Sequence, residues 1–203
     1  MPPMSVIHRG DLQQVLLRAA KGSGCRIITS CNVIAVDSMY SAHVKAQNTK
    51  SGEISWFSSD LVTAADGTKS VVRRQMALSN GFKGQPIPTG DAAHRLLILR
   101  EKVEHDSVSL QMLDQDVAIY YMGSGGHVMA YPLRHNTAYN MVLVHPAKPS
   151  QTGGAGDSWT SKGDREEMIN SYSSWSPAIR KWVENAEDKI LEWMLYVHPQ
   201  MPR

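Results

Sequence analysis

The sequence predicts an α/β (α+β) chain in two parts: a small N-terminal lobe of helix and short strands, then a mixed or antiparallel β-sheet with C-terminal helices. Three observations carry this. Leu12, Val15, Leu16 and Ala19 repeat at helical spacing. After residue 93, β-rich runs alternate with short turn-forming stretches. The segment at Ser176-Pro177 opens as helices open, with a capping hydroxyl and a proline in the first turn. At 203 residues the chain can bury a core, as one domain or one domain plus a lobe.

Taken in order, Asp11 is placed to cap the first helix and Gly22 and Gly24 to end it, so its apolar stripe predicts one buried face. "CRIITS", "NVIAVDS" and "HVKAQN" read as short strands, followed by the turn "KSGE" and by "ISWFSSDLVTAADG". Within the last, "DLVTAADG" predicts a buried strand that stops at Asp66-Gly67, and "SVVRRQM" begins a helix. "RLLILREKV", "SVSLQML", "DVAIYYM", "HVMAYPL" and "AYNMVLVHP", punctuated by "DQ", "GSGG" and "RHN", predict an antiparallel meander. Residues 147–164 read as an exposed Gly/Ser/Pro-rich loop, "SPAIRKWVENA" as a helix and "ILEWMLYVHPQMPR" as a last strand.

Composition excludes several classes. Lys+Arg at 21 against Asp+Glu at 19 leaves a formal charge of +2, too small to argue for nucleic acid or an acidic membrane surface. Cys25 and Cys31 have no second pair to complete a zinc site and read as reduced thiols of a cytoplasmic protein. No apolar run approaches the roughly 20 residues that span a bilayer, and the N-terminus lacks the pattern of a signal peptide. His94, His127, His135 and His145 show no close ligand spacing, which predicts no metal site. The glycines of "GSGG" suit a hairpin turn better than a phosphate cradle.

"IHRGDLQQVLLRAA" and "DLVTAADGTKSVVR" resemble, at two separate places, the class A FAD-dependent monooxygenases of the salicylate hydroxylase-like, fungal type. The resemblance implies that Arg9, after His8, reaches FAD, and that Asp66, Gly67, Ser70 and Arg73 stand at the positions of the family's Asp-Gly motif. Its cofactor-side residues would then be Arg9, Asp66, Gly67 and Arg73. One departure is Ala64-Ala65, where the family usually has Gly-Ala. A carboxylate at a strand's end, followed by glycine and a helix start, also sits where open α/β sheets bind ligands. The helix N-terminus would favour phosphate oxygens, with Arg73 or Arg74 adding a bidentate contact. The plainer alternative is a simple turn at Asp66-Gly67 with Ser70 as a helix cap.

"YYMGSGGHVMAYPLRHNTAYNMVLVHP" is similar to the family's substrate-domain hairpin, with Gly123, Gly126, His127, Tyr131, Pro132, Tyr139 and Asn140 at matching positions. His127 and Tyr131 are the substrate-facing candidates, with sheet packing as the alternative. "TGDAAHR" at residues 89–95 is not the family's Gly-Asp flavin motif, because Asp91 follows Asp66 by only 25 positions and Arg95 stands where the family has proline. It resembles the entry into the substrate domain, with Gly90-Asp91 as a turn before a strand. No catalytic residue is named, since in such enzymes the flavin carries the chemistry and the protein positions it.

The resemblance therefore divides the chain into a partial FAD-binding, Rossmann-like lobe at 1–88 and a substrate-binding domain at 89–203. Neither the family's Gly-x-Gly-x-x-Gly turn nor its later Gly-Asp motif occurs in these residues, which implies the middle part of a truncated flavoenzyme, with FAD held weakly or not at all by the lone chain. The implied activity is hydroxylation or epoxidation of an aromatic or polyketide-like small molecule, with NAD(P)H as reductant. Two alternatives stand beside it: a flavin-independent cyclase or isomerase that reuses the substrate cavity, and an accessory binding subunit. Exposed sheet neighbours further imply self-association, or a partner chain that completes the FAD lobe.

Overall fold

The computed structural model describes residues 5–148 and 160–198. It divides into two compact units. The larger joins the segment ending at Val15 to Pro88–Tyr196, and the smaller joins Leu16–Ile87 to the segment that starts at Val197. The chain's first helix, α1 (Arg9–Gly22), carries Asp11 in its first turn instead of at the cap, and it buries no residue. The expected buried face is not there: Leu12, Val15 and Leu16 are 40%, 54% and 59% exposed. An amphipathic stripe becomes a buried face only where another element covers it.

In the smaller unit, β1 (Cys31–Val36), β2 (His43–Asn48) and β3 (Ile54–Ser58) form an antiparallel sheet in that order. α2 (Val71–Ser79) is fixed to β1 by Gln75, whose side-chain amide donates to the Val36 carbonyl at 2.6 Å and accepts from the Val36 N–H at 2.9 Å. The glutamine thus satisfies one residue's backbone as a neighbouring strand would. Two strand expectations fail here. Residues 25–30 and 60–66 form no ladder, and 60–66 are mostly exposed; an extended segment becomes a strand only with a partner to hydrogen-bond.

The larger unit is a six-stranded sheet covered by helices on one face. Its strands are β4 (Ile87–Leu99), β5 (Ile119–Gly123), β6 (Gly126–Leu133), β7 (Ala138–Pro146), β8 (Thr160–Lys162) and β9 (Leu191–Val197), in spatial order β5-β6-β7-β4-β9-β8. β5, β6, β7 and β4 pair antiparallel, as a meander requires. β4 runs straight through Gly90-Asp91, with Asp91 opposite Pro146, so the expected turn is absent; Gly90 takes φ +90° inside the strand. Of the 147–164 loop, residues 149–159 lie outside the described residues, while Thr160–Lys162 form β8 and pair with β9.

"SVSLQML", expected as a strand, is instead helix α3 (Ser107–Leu113). Its start is set by Asp106, whose carboxylate accepts from the Ser109 N–H at 3.2 Å and from the Ser109 hydroxyl at 2.5 Å. Ser109 and Leu113, one helical turn apart, are its buried residues. α4 (Arg165–Ser171), capped by Asp164, was not expected; α5 (Pro177–Glu184), capped by Ser176, was. Lys181 of α5 reaches the Asp106 carboxylate at 2.6 Å and ties α5 to the start of α3.

Strand alternation puts Leu96 and Ile98, Val128 and Ala130, and Tyr139, Met141 and Leu143 under this helical layer. Trp182 lies at its centre, fully buried and stacked on Tyr139 with ring centroids 4.3 Å apart. In the β5–β6 turn only Gly125 needs a positive φ, at +78°. Its neighbours are glycine for another reason: a Cβ at Gly123 would strike the Trp175 indole, and one at Gly126 the Val144 carbonyl.

Trp182→Ala is expected to destabilise the larger unit by about 3–5 kcal/mol in urea denaturation, whereas a loss under about 1 kcal/mol would refute its place at the centre of the core. Lys181 first, and then Ser109, hold the Asp106 carboxyl down at about 2. The unfolded value is about 3.9, so this contribution is complete above that pH and is lost as pH falls through about 2. Asp106→Asn should therefore flatten the acid side of the stability profile between about pH 4 and pH 2; an unchanged profile would contradict the linkage.

Candidate functional site

In the smaller unit the Asp66–Ser70 turn is organised around the first turn of α2. Asp66 Oδ2 accepts from the Val71 N–H at 2.8 Å and the Val72 N–H at 3.3 Å, and the Ser70 hydroxyl oxygen accepts from the Arg73 N–H at 2.9 Å. Burial pushes the Asp66 carboxyl up, but hydrogen bonds from Ser70 and from the backbone of Val72 and Val71 outweigh it and hold it below the usual carboxylate range. Gly67 takes φ +73°, and an added Cβ there would meet nothing within 4 Å. The turn thus presents an ionised acceptor beside open space.

A phosphate at the α2 N-terminus would meet donors that are already in use. The first free N–H groups of α2 already serve Asp66 and Ser70, and a second anion would face the Asp66 carboxylate. The donor set that fits is one of hydroxyls, which a carboxylate accepts strongly. Ser70 is the cap of α2, as the plainer reading of this segment expects.

The larger unit holds Arg9, His127 and Tyr131. Arg9 is the exposed first residue of α1. His127 and Tyr131 are half-buried on β6, on the face turned away from the helices, because Val128, Ala130 and Pro132 take the other face. Four residues of strand separate them by about 13 Å, so they do not converge on one point. His127 stacks on Tyr120 with centroids 4.9 Å apart. Tyr131 instead lines a cleft of about 890 Å³ with Ile7, His8, Asp11, Val117 and Arg134.

Arg134 orders that cleft. It opens the β6–β7 turn, in which Arg134, His135 and Asn136 all have positive φ, at 52°, 54° and 62°. Left-handed non-glycine residues cost on the order of 1 kcal/mol each and persist where their surroundings fix them. Here the Thr137 hydroxyl donates to the Arg134 carbonyl at 2.9 Å, and Arg100 donates to the Asn136 carbonyl at 3.2 Å. The guanidinium grips Asp11 with Nε at 2.8 Å and Nη2 at 3.0 Å, and Nη2 also lies 3.2 Å from His8 Nδ1. This fork lowers the Asp11 pKa and raises that of Arg134. Sequence reasoning missed Arg134; its only signal was its position three residues after Tyr131, on a turn.

A third cluster lies on the helix-facing side of the sheet: His94 of β4, His145 of β7 and Glu192 of β9, each offering a ligand atom within 4.8 Å of the others. Burial first, then the neighbouring His145, lower the His94 pKa to about 4, so its ring is neutral at neutral pH. Spacing along the chain conceals this group, since 51 residues separate the two histidines.

The fold of the chain is shared with solved structures. The chain superimposes on a structure of CtdE with FAD at a TM-score of 0.71 and 19% identity, covering 96% of this chain and 49% of that one. It matches a salicylate hydroxylase substrate complex at 0.66 and 21%, covering 94% and 46%. Residues 1–176 match the FAD binding domain family, and the chain belongs to it.

Curated relatives include the FAD-dependent monooxygenases ntnJ of Nectria sp and atnJ of Arthrinium sp, 31% and 30% identical over 98% of this chain. Salicylate hydroxylase of Pseudomonas putida is 27% identical over 70% of it. The chain spans 44%, 44% and 34% of these relatives' lengths, less than half in each case. Among the described residues no helix is long and apolar enough to cross a membrane.

Proposed function

We propose that the chain forms part of an FAD-dependent monooxygenase acting on an aromatic or polyketide-like small molecule. The observation that carries this is the Asp66 carboxylate, held ionised beside the open Gly67 turn, in a chain that belongs to the FAD binding domain family. The names of its relatives, FAD-dependent monooxygenases and salicylate hydroxylase, support the reaction class. FAD, reduced by NAD(P)H, would supply the oxygen chemistry. The chain's own residues bind and position.

Asp66 accepts hydrogen bonds from hydroxyls of the nucleotide, and Gly67 lets the ligand approach the backbone. Arg73, on the first turn of α2, and Arg9, at the start of α1, contribute positive charge to the cofactor. On the larger unit, the uncovered sheet face carrying His127 and Tyr131 receives the organic substrate. Tyr131 lies beside the Arg134–Asp11 pair in a cleft that mixes apolar Ile7, Val117 and Leu133 with polar His8, Asp116 and Asn136, groups that can orient a phenol. The two free cysteines accord with a cytoplasmic setting.

The smaller unit leaves Met39, Trp56, Leu61 and Leu78 at 83%, 55%, 78% and 60% exposure. We further propose that this surface is covered by a second copy or by a partner chain that completes the lobe.

Fluorescence titration of the 203-residue chain with FAD tests the reading. Saturable but weak binding is expected, and Asp66→Ala should weaken it about tenfold, the loss of a charge-assisted hydrogen bond. Binding unchanged by Asp66→Ala, or absent at millimolar FAD, would overturn the role given to the turn. Light scattering is expected to show mass rising with concentration; a strictly monomeric species across the range would contradict the covered surface.

A further inference from the structure

We infer that His94, His145 and Glu192 form a binding site for a divalent first-row transition-metal ion, of which Zn²⁺ is the probe. The site follows from sheet register. β7, β4 and β9 are adjacent strands, and each turns one of these side chains toward the helical layer. His145 is opposite Ala92, two residues from His94, so the imidazoles are diagonal neighbours on one face and stack with centroids 4.6 Å apart. Glu192 joins them from β9.

The hydrogen bonding of His145 sets its lone pair. Its Nδ1 lies 3.0 Å from the Pro146 carbonyl oxygen, which can only accept, so Nδ1 carries the proton and donates it. In the neutral ring Nε2 is then a bare acceptor, buried without a hydrogen-bond partner and 3.4 Å from Glu192 Oε1. Two acceptors at that separation repel unless something positive lies between them. His94, itself only 7% exposed, adds a second buried nitrogen, Nδ1, without a hydrogen-bond partner.

A proton on His145 would settle the Glu192 contact but leave His94 Nδ1 unsatisfied. A metal ion compensates the contact between His145 Nε2 and Glu192 and can take a lone pair from His94 as well. Two imidazole nitrogens and one carboxylate oxygen are a donor set for Zn²⁺, Co²⁺ or Fe²⁺ and not for Mg²⁺, which demands oxygen ligands. The donated Nδ1–H of His145 is the outer hydrogen bond that orients metal-binding histidines.

Space and charge agree. A cavity of about 340 Å³ opens onto the three side chains and has room for a water in the remaining position. Neither of its other carboxylates belongs to the ligand set: Asp164 caps α4, and Glu167 pairs with Lys148 at 2.5 Å. Asp164 still offsets part of the positive charge of an occupied site. This site is separate from the Asp66 turn and from the Tyr131 cleft and does not depend on flavin binding.

The test is Zn²⁺ titration of the metal-free chain by calorimetry, with Co²⁺ absorption in the visible range reporting the ligand field. One equivalent is expected to bind, with Mg²⁺ giving no heat. Glu192→Gln and His145→Gln should each weaken Zn²⁺ roughly 100-fold, while His135→Gln, on the exposed turn, leaves it unchanged. In the unsubstituted chain Zn²⁺ should shift the imidazole resonances of His94 and His145 and spare those of His127, a readout that survives if a variant misfolds. No saturable heat, or shifts confined to other histidines, would show that only a proton occupies the cluster and would overturn the proposal.

Discussion

The larger unit depends on one constraint: a six-stranded sheet that is covered by helices on one face only. Side chains alternate between faces every residue, so register alone decides which residues are sealed under Trp182 and which remain available. Tyr139, Met141 and Leu143 go under the helices; Tyr131 and His127 go to the other face. A one-residue slip of β6 would put Tyr131 into the core and Val128 on the open face. The same alternation gathers His94, His145 and Glu192, so one geometric rule sorts apolar core, open-face residues and a buried polar cluster.

The smaller unit works through hydrogen bonds more than through packing. Its buried apolar residues are few, Val36, Ala46 and Ala77 among them. Gln75 ties α2 to β1, and Asp66 and Ser70 fix the start of α2. The turn's geometry is therefore set by the chain's own hydrogen bonds. That preorganisation also dictates chemistry. Because the helix's own amides are spent on Asp66, the turn offers a carboxylate where many nucleotide folds offer bare N–H groups.

Much of this was legible in the sequence wherever a local signal matched its tertiary setting. Ser176-Pro177 starts α5, Ser70 caps α2, and the alternation in "HVMAYPL" and "AYNMVLVHP" becomes β6 and β7. The failures share a cause. "SVSLQML" alternates like a strand, yet its state is decided by Asp106 and by Lys181, 75 residues away. The α1 stripe and residues 60–66 had the right composition but no covering or pairing element among the described residues. Arg134 looked like turn punctuation until its guanidinium met Asp11, 123 residues earlier. The motif residues Asp66, Gly67 and Arg73 were singled out by resemblance; how the first amides of α2 are used became readable only from the hydrogen bonds of the turn.

We propose that the Asp66 turn accepts ligand hydroxyls and refuses phosphate. Amide shift mapping with riboflavin and adenosine, which carry hydroxyls but no phosphate, against inorganic pyrophosphate, tests it directly. The hydroxyl-bearing ligands should move the Asp66–Val72 amides, and pyrophosphate should leave them in place. Pyrophosphate moving those amides, with riboflavin and adenosine silent, would make the turn a phosphate site and contradict the account.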